Sequence, residues 1–357
     1  MSSVRDVLAT VRPEVRGRAA YRLPERAPRF RLDQNEVPWD LPPAAKRETL
    51  RRLAGQRWNG YPELQAESLR RDLAAFHGHP FEGILAGSGS GELLAAALDT
   101  LLGPGREALG IAPAFSLYGL LAERSGARLV TVGPRPDLRL PLDELLREVA
   151  RDPSRPVLLA SPNNPTGEAV EPDWVAELLG RLEAPLLLDN AYAEFCRFDY
   201  RPLLARHPQL MIFRTFSKAW SLAGLRVGYL LTSPELAREI EKVKLPYNVG
   251  HAAATAARVA LAHAEEILGR VELLKRRREG FRAMLAARGF TVLPSEANFL
   301  LARVPDGDAS AWHGALAERG LSVREPGLAG CLRVSIGTGA ALRALERALD
   351  EILETWR

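Results

Sequence analysis

The segment Met211-Ile-Phe-Arg-Thr-Phe-Ser-Lys218-Ala-Trp-Ser-Leu-Ala-Gly-Leu-Arg226-Val-Gly-Tyr-Leu-Leu231 governs the reading of this 357-residue chain. Leu210 to Phe213 is a short apolar run of the kind that forms a buried strand. The chain then passes through two hydroxyl residues, Thr215 and Ser217, to Lys218, and through Gly224 to Arg226 and a second apolar run. An ammonium set between two buried strands costs on the order of several kcal/mol to desolvate unless it is neutralised or bonded. A Schiff base with an aldehyde cofactor meets that need. The neighbouring hydroxyls and Arg226 suit the phosphate that such a cofactor carries. A surface lysine on a loop is the plain alternative, and the rest of the chain decides between the two.

Upstream, strand and helix signals alternate. Leu109 to Ile111, Arg128 to Val132, Val157 to Ala160 and the run Leu186-Leu-Leu-Asp189 read as strands. Helices are expected from Ala112-Pro-Ala-Phe115-Ser-Leu-Tyr118 onward, over Leu142 to Val149 and over Asp173 to Arg181. This alternation predicts a largely parallel sheet covered by helices, an α/β fold. Ligands of open sheets of this kind sit at the carboxyl ends of the strands. The turn Gly87-Ser-Gly89-Ser90-Gly91, Asn164, Asp189 to Tyr192, and Lys218 each fall just past a predicted strand, so they converge on one edge. The turn leads into an Ala/Leu-rich helix, whose free N–H groups and dipole make a phosphate cradle. A tight strand-to-helix turn needs glycine in any case. It is no Walker loop, lacking Gly-Lys-Ser/Thr, and it fits the dinucleotide fingerprint poorly.

The flanks differ in character. Residues 1–35 read as an extended arm after a short helical start, broken by Pro13, Pro24 and Pro28. From Phe290 onward, short strands and two helices give an α+β unit. The expected division is an arm over 1–35, a large domain over 36–274 and a small domain over 275–357. His77-Gly-His79-Pro reads as a helix end and loop rather than a metal pair, and no metal site is expected. Lys275-Arg-Arg-Arg278 shares its helix with Leu273, Leu274 and Phe281 and reads as a solvated face, not a nucleic-acid patch. The composition is 46% hydrophobic and 26% charged with a net charge of +4, which is ordinary for a soluble globular protein. Cys196 and Cys331 lie far apart, and a reducing setting is the default. No apolar run approaches membrane-spanning length, so a cytoplasmic protein is expected.

In order along the chain stand Asn35-Glu, Gly-Ser-Gly-Ser over 87–90, Pro-Asn-Asn-Pro-Thr-Gly over 162–167, and Asp189-x-Ala-Tyr192. Thr-Phe-Ser-Lys218 with Gly-Leu-Arg226-x-Gly and Leu-Arg333-Val-Ser-Ile-Gly complete the set. Together these motifs resemble the pyridoxal-phosphate-dependent aminotransferases of fold type I, and within them the histidinol-phosphate aminotransferase family. The resemblance runs from about Asn35 to Gly337. The chain departs from the family's usual pattern at Val37, Gly91 and Asn190, and the segment after Tyr61-Pro is shortened.

The resemblance implies roles for individual residues. Lys218 would bind the cofactor aldehyde and shuttle the substrate proton, Asp189 would hold the ring nitrogen protonated, and Asn164 and Tyr192 would donate to the phenolic oxygen. Gly89, Ser90, Thr215, Ser217 and Arg226 would hold the phosphate, and Phe115 would stack on the ring. Tyr61 would reach the phosphate in a neighbouring subunit, which implies a homodimer with shared active sites. Arg333 would pair with the substrate carboxylate. Arg324, Tyr21 and Asn35 are further substrate contacts on the same ground. The implied reaction is transamination between L-histidinol phosphate and 2-oxoglutarate. Aromatic-amino-acid aminotransferases and threonine-phosphate decarboxylases share the motifs, and a non-catalytic pyridoxal-phosphate-binding module is the remote alternative.

Overall fold

The computed structural model describes residues 4–17 and 28–356. Its strands, in chain order, are Phe30–Arg31 (β1), Ile84–Gly87 (β2), Glu107–Ile111 (β3), Arg128–Val132 (β4), Val157–Ala160 (β5) and Leu186–Asp189 (β6). They continue with Leu210–Thr215 (β7), Gly228–Leu231 (β8), Thr291–Val292 (β9), Phe299–Arg303 (β10), Leu321–Ser322 (β11) and Cys331–Ser335 (β12). Seven of them form one sheet in the order β2-β8-β7-β6-β5-β3-β4. β4, β3, β5, β6 and β7 run parallel, while β8 is antiparallel to both β7 and β2. β8 is thus the reversed strand, and the carboxyl ends of β2, β5, β6 and β7 lie on one edge with the start of β8.

The central strands are apolar throughout because both faces of the sheet are covered. Along β6, Leu186 and Leu188 pack on one side with Val175 and Leu178 of the helix Pro172–Arg181. Leu187 packs on the other side with Leu93 and Leu94 of the helix Ser90–Leu101. Each such leucine contributes about 1.5–3 kcal/mol by leaving water. The two-residue period then puts Asp189 on the Leu187 side and Asn190 on the opposite one.

Two smaller sheets lie outside the seven-stranded one. β9, β10 and β12 form an antiparallel trio, and β1 pairs in parallel with β11. The segment just before Asn35 is therefore tied to the carboxyl-terminal strands: Leu32 N–H donates to Ser322 O (2.8 Å), and Ser335 N–H to Leu32 O (2.8 Å). The helix expected to open at Ala112 begins only at Leu117, after a loop that contains Pro113. No helix among the described residues is long and apolar enough to cross a membrane.

Candidate active site

The edge described above carries an anion cradle. β2 ends at Gly87, and Gly89, with φ of +84°, caps the helix Ser90–Leu101. Opposite, Arg226 donates from Nη1 to Ser217 Oγ (2.9 Å) and Ala223 O (3.1 Å). Thr215 Oγ1 accepts from Ser217 N–H at 3.0 Å, which shapes the turn before Lys218. The turn and the Arg226 segment approach so closely that a Cβ on Gly89 would stand 2.5 Å from Arg226 Nη2. Helix N–H groups, hydroxyls and a guanidinium converge there, a donor set that suits a phosphate dianion.

Lys218 follows β7 in a loop, not a helix, and its ammonium donates to Gln34 O at 2.9 Å. Burial, with Arg333 nearby, pulls its pKa down to about 8. Asp189, at the end of β6, is buried, and burial pushes its carboxyl above the usual range. The Tyr118 hydroxyl donates to Asp189 Oδ2 at 2.6 Å, and Ala191 N–H to Oδ1 at 3.2 Å.

Arg333 on β12 reaches across to the loop after β5. Its Nη1 donates to Asn164 Oδ1 (2.7 Å) and its Nη2 to Asp33 O (2.5 Å), while the guanidinium lies 5.4 Å from the Phe299 ring centre. With its oxygen engaged by Arg333, Asn164 turns its amide hydrogens elsewhere. Tyr192 is buried, and its hydroxyl oxygen accepts from Asn35 Nδ2 at 2.9 Å. The structure therefore brings Lys218, Asp189, Asn164, Tyr192, Arg226 and Arg333 onto one edge, spanning β2, β5, β6, β7 and β12.

Residues 28–352 match the family described as "Aminotransferase class I and II". The chain belongs to this family. It is 36% identical, over 95% of each chain, to the histidinol-phosphate aminotransferase of Deinococcus radiodurans, and 39% identical to that of Gloeobacter violaceus, covering 92% of this chain and 93% of that one. The crystal structure of histidinol-phosphate aminotransferase from Sinorhizobium meliloti, in complex with pyridoxal-5'-phosphate, superposes with a TM-score of 0.87 at 26% identity. It covers 97% of this chain and 98% of that one.

In this aminotransferase the remaining predicted residues differ in exposure and in what they touch. Phe115 is exposed at 41%, its ring edge-on to Tyr118 with centroids 5.8 Å apart. Tyr61 is exposed at 83% and stacks on Tyr247 at 4.8 Å. Arg324 pairs through its backbone with Arg333, which sets it beside the same strand. Tyr21 lies outside the described residues. His77 and His79 bond to Tyr229 and to Thr232 O, respectively.

Sequence reading missed several partners. Tyr118 stands three residues after Phe115, a spacing that could have suggested a shared side of the turn. Ser335 lies two residues past Arg333 and so on the same strand face, and Asn298 had no local signal. Asn190, a departure from the family pattern, donates to Ser161 O (2.6 Å) and accepts from buried Arg214 (3.1 Å). It braces the loop after β5 from the side of the sheet away from Asp189.

Proposed function

We propose that this aminotransferase binds pyridoxal 5'-phosphate on the sheet edge and moves the amino group of L-histidinol phosphate to 2-oxoglutarate. The products would be imidazole-acetol phosphate and L-glutamate, a step of histidine biosynthesis. The observation that carries the reading is the meeting, on one edge, of an amine, a buried carboxylate and an anion cradle. The residues present fit the cofactor. Gly89 leaves room that a Cβ would fill, the donors around it suit a dianion, and buried Asp189 has an acceptor to offer a protonated ring nitrogen.

When bound, the cofactor supplies an aldehyde that exchanges amino groups and a ring that withdraws electrons from the substrate carbon. Lys218 would hold the aldehyde through its neutral amine and would serve as the base that moves the substrate proton. Asp189 would pair with the ring nitrogen and favour its protonated form. Asn164 and Tyr192 would donate to the phenolic oxygen, and Gly89, Ser90, Thr215, Ser217 and Arg226 would hold the phosphate. Phe115 would stack on the ring. Arg333 and Arg324 would bind the substrate's anionic group, a carboxylate in one half-reaction and a phosphate in the other, and Tyr21 is kept as a further substrate contact on the ground of the motif resemblance alone.

The protein works as a cytoplasmic homodimer in this reading. Supporting it, Trp58 (77%), Tyr61 and Leu245 (69%) are strongly exposed, and Tyr61 stacks on Tyr247, so this side of the molecule presents apolar surface of the kind subunits cover. The division into arm, large domain and small domain is supported by the separate sheets, with the helix Ala264–Ala286 running through the 274/275 boundary as the connector.

The test is a single-turnover spectrum of the cofactor-loaded enzyme. Mixing with L-histidinol phosphate alone is expected to bleach the absorption of bound pyridoxal phosphate, and 2-oxoglutarate should restore it. A response to phenylalanine or tyrosine instead would discard the substrate. Carbon dioxide release without need of an oxo acid would indicate a decarboxylase.

A further inference from the structure

We propose that Asn35 and Ser335 are positioning residues that decide which way Tyr192 donates its hydroxyl proton. The inference rests on the assignment of Tyr192 to the cofactor's phenolic oxygen. Asn35 is only 1% exposed, with φ of +55°, a conformation that asparagine tolerates better than most residues. All four of its polar atoms are engaged. Its N–H donates to Ser335 Oγ (2.9 Å), its C=O accepts from Asn298 Nδ2 (2.9 Å), its Oδ1 accepts from Ser335 Oγ (2.9 Å) and its Nδ2 donates to Tyr192 (2.9 Å). Each of its polar atoms thus has a partner inside the protein and the side chain is buried, so in this proposal Asn35 acts as part of the supporting frame rather than as a direct substrate contact.

The order of donors follows from chemistry. A backbone N–H can only donate, so Ser335 oxygen accepts from Asn35 and keeps its own proton for Asn35 Oδ1. With the serine proton on Oδ1, the amide nitrogen faces Tyr192 and donates to it. The tyrosine oxygen then receives a hydrogen bond, and its proton is left for another acceptor; the Lys218 ammonium lies 6.0 Å from the centre of the same ring. An amide turned the other way would draw that proton onto itself. Both Asn35 and Arg333 also favour the ionised form of Tyr192 against the effect of burial.

The experiment is a pH titration of the visible absorption of the loaded enzyme in the parent, Ser335→Ala, Ser335→Thr, Asn35→Asp and Tyr192→Phe. Donation from Tyr192 stabilises the deprotonated phenolic oxygen, so its loss raises the midpoint. Ser335→Ala is expected to raise it by about half a unit to one unit, and Asn35→Asp to raise it more, because the new carboxylate captures the tyrosine proton. Ser335→Thr, which retains the hydroxyl, should restore the parent midpoint, and melting temperatures show that the fold is kept. A shift in Tyr192→Phe with none in Ser335→Ala overturns the proposal alone. A Tyr192→Phe enzyme that titrates like the parent removes Tyr192 from the cofactor and takes the proposal with it.

Discussion

At the scale of the residue, Lys218 shows what burial does to an amine. Its pKa near 8 leaves about a quarter of it neutral at pH 7.5, against about a thousandth for a lysine in water. The direction is set by desolvation, which penalises the charged form; above pH 8 the amine is mostly neutral, below it mostly protonated. In cofactor-free protein, amine-selective labelling of Lys218, followed by peptide mass spectrometry, is therefore expected to rise with a midpoint near pH 8. Labelling of a short lysine-containing reference peptide should keep climbing toward pH 10. Coincident profiles would refute the assignment, and Lys218→Ala is expected to lose all turnover. The places of Lys218, Asp189 and Asn164 at or just past strands, and of Arg226 just before one, were legible because the strands are apolar runs with sharp polar ends. Asn35 was marked only as a substrate contact, and its bond to Tyr192, like the parts played by Tyr118 and Ser335, was not foreseen. Asn35 meets Tyr192 157 positions away, and Tyr118 meets Asp189 across 71, distances over which sequence spacing carries no geometry.

At the scale of the element, the reversed strand β8 carries the cradle. Gly228 pairs with Gly87 on one side and with Thr215 on the other, so it sits where the phosphate turn passes. A Cβ there would stand 2.2 Å from Ser90 N and 2.5 Å from Gly89 C, backbone atoms that cannot step aside without moving the turn. Gly228→Ala is expected to weaken pyridoxal-phosphate binding by at least tenfold and to cost about 1–3 kcal/mol of stability. Gly224→Ala, whose Cβ would meet nothing within 4 Å, should leave both unchanged. Equilibrium binding and thermal melts would check the pair. The strands themselves were readable as apolar runs bounded by polar turns. The direction of β8 was not, since a fully buried run looks alike from either end and only the link from β7, which holds a single 3-10 turn at Ala223–Leu225 and no α-helix, hints at reversal.

At the scale of the whole molecule, exposed apolar side chains and the site are neighbours in sequence and in space. Tyr61 stacks on Tyr247, Tyr247 N–H bonds to Leu64 O (3.0 Å), and Asn248 donates to Glu92, the carboxylate that accepts Ser88 N–H in the phosphate turn. A subunit boundary here would touch the cradle through one hydrogen-bond chain. Leu245→Glu is expected to yield monomers by light scattering and to lose cofactor on dilution; a dimer that survives the charge would exclude this surface. The arm has a different consequence, one of timing. Asn35 precedes its partner Ser335 by 300 residues, so at roughly 5–20 residues per second the ribosome needs about 15–60 s to deliver the second after the first. The seven-stranded sheet and its phosphate turn are complete by Leu231, well before that. In synthesis every residue of the cradle is thus made while Tyr192 still lacks the frame proposed to aim it, which waits for the last strand.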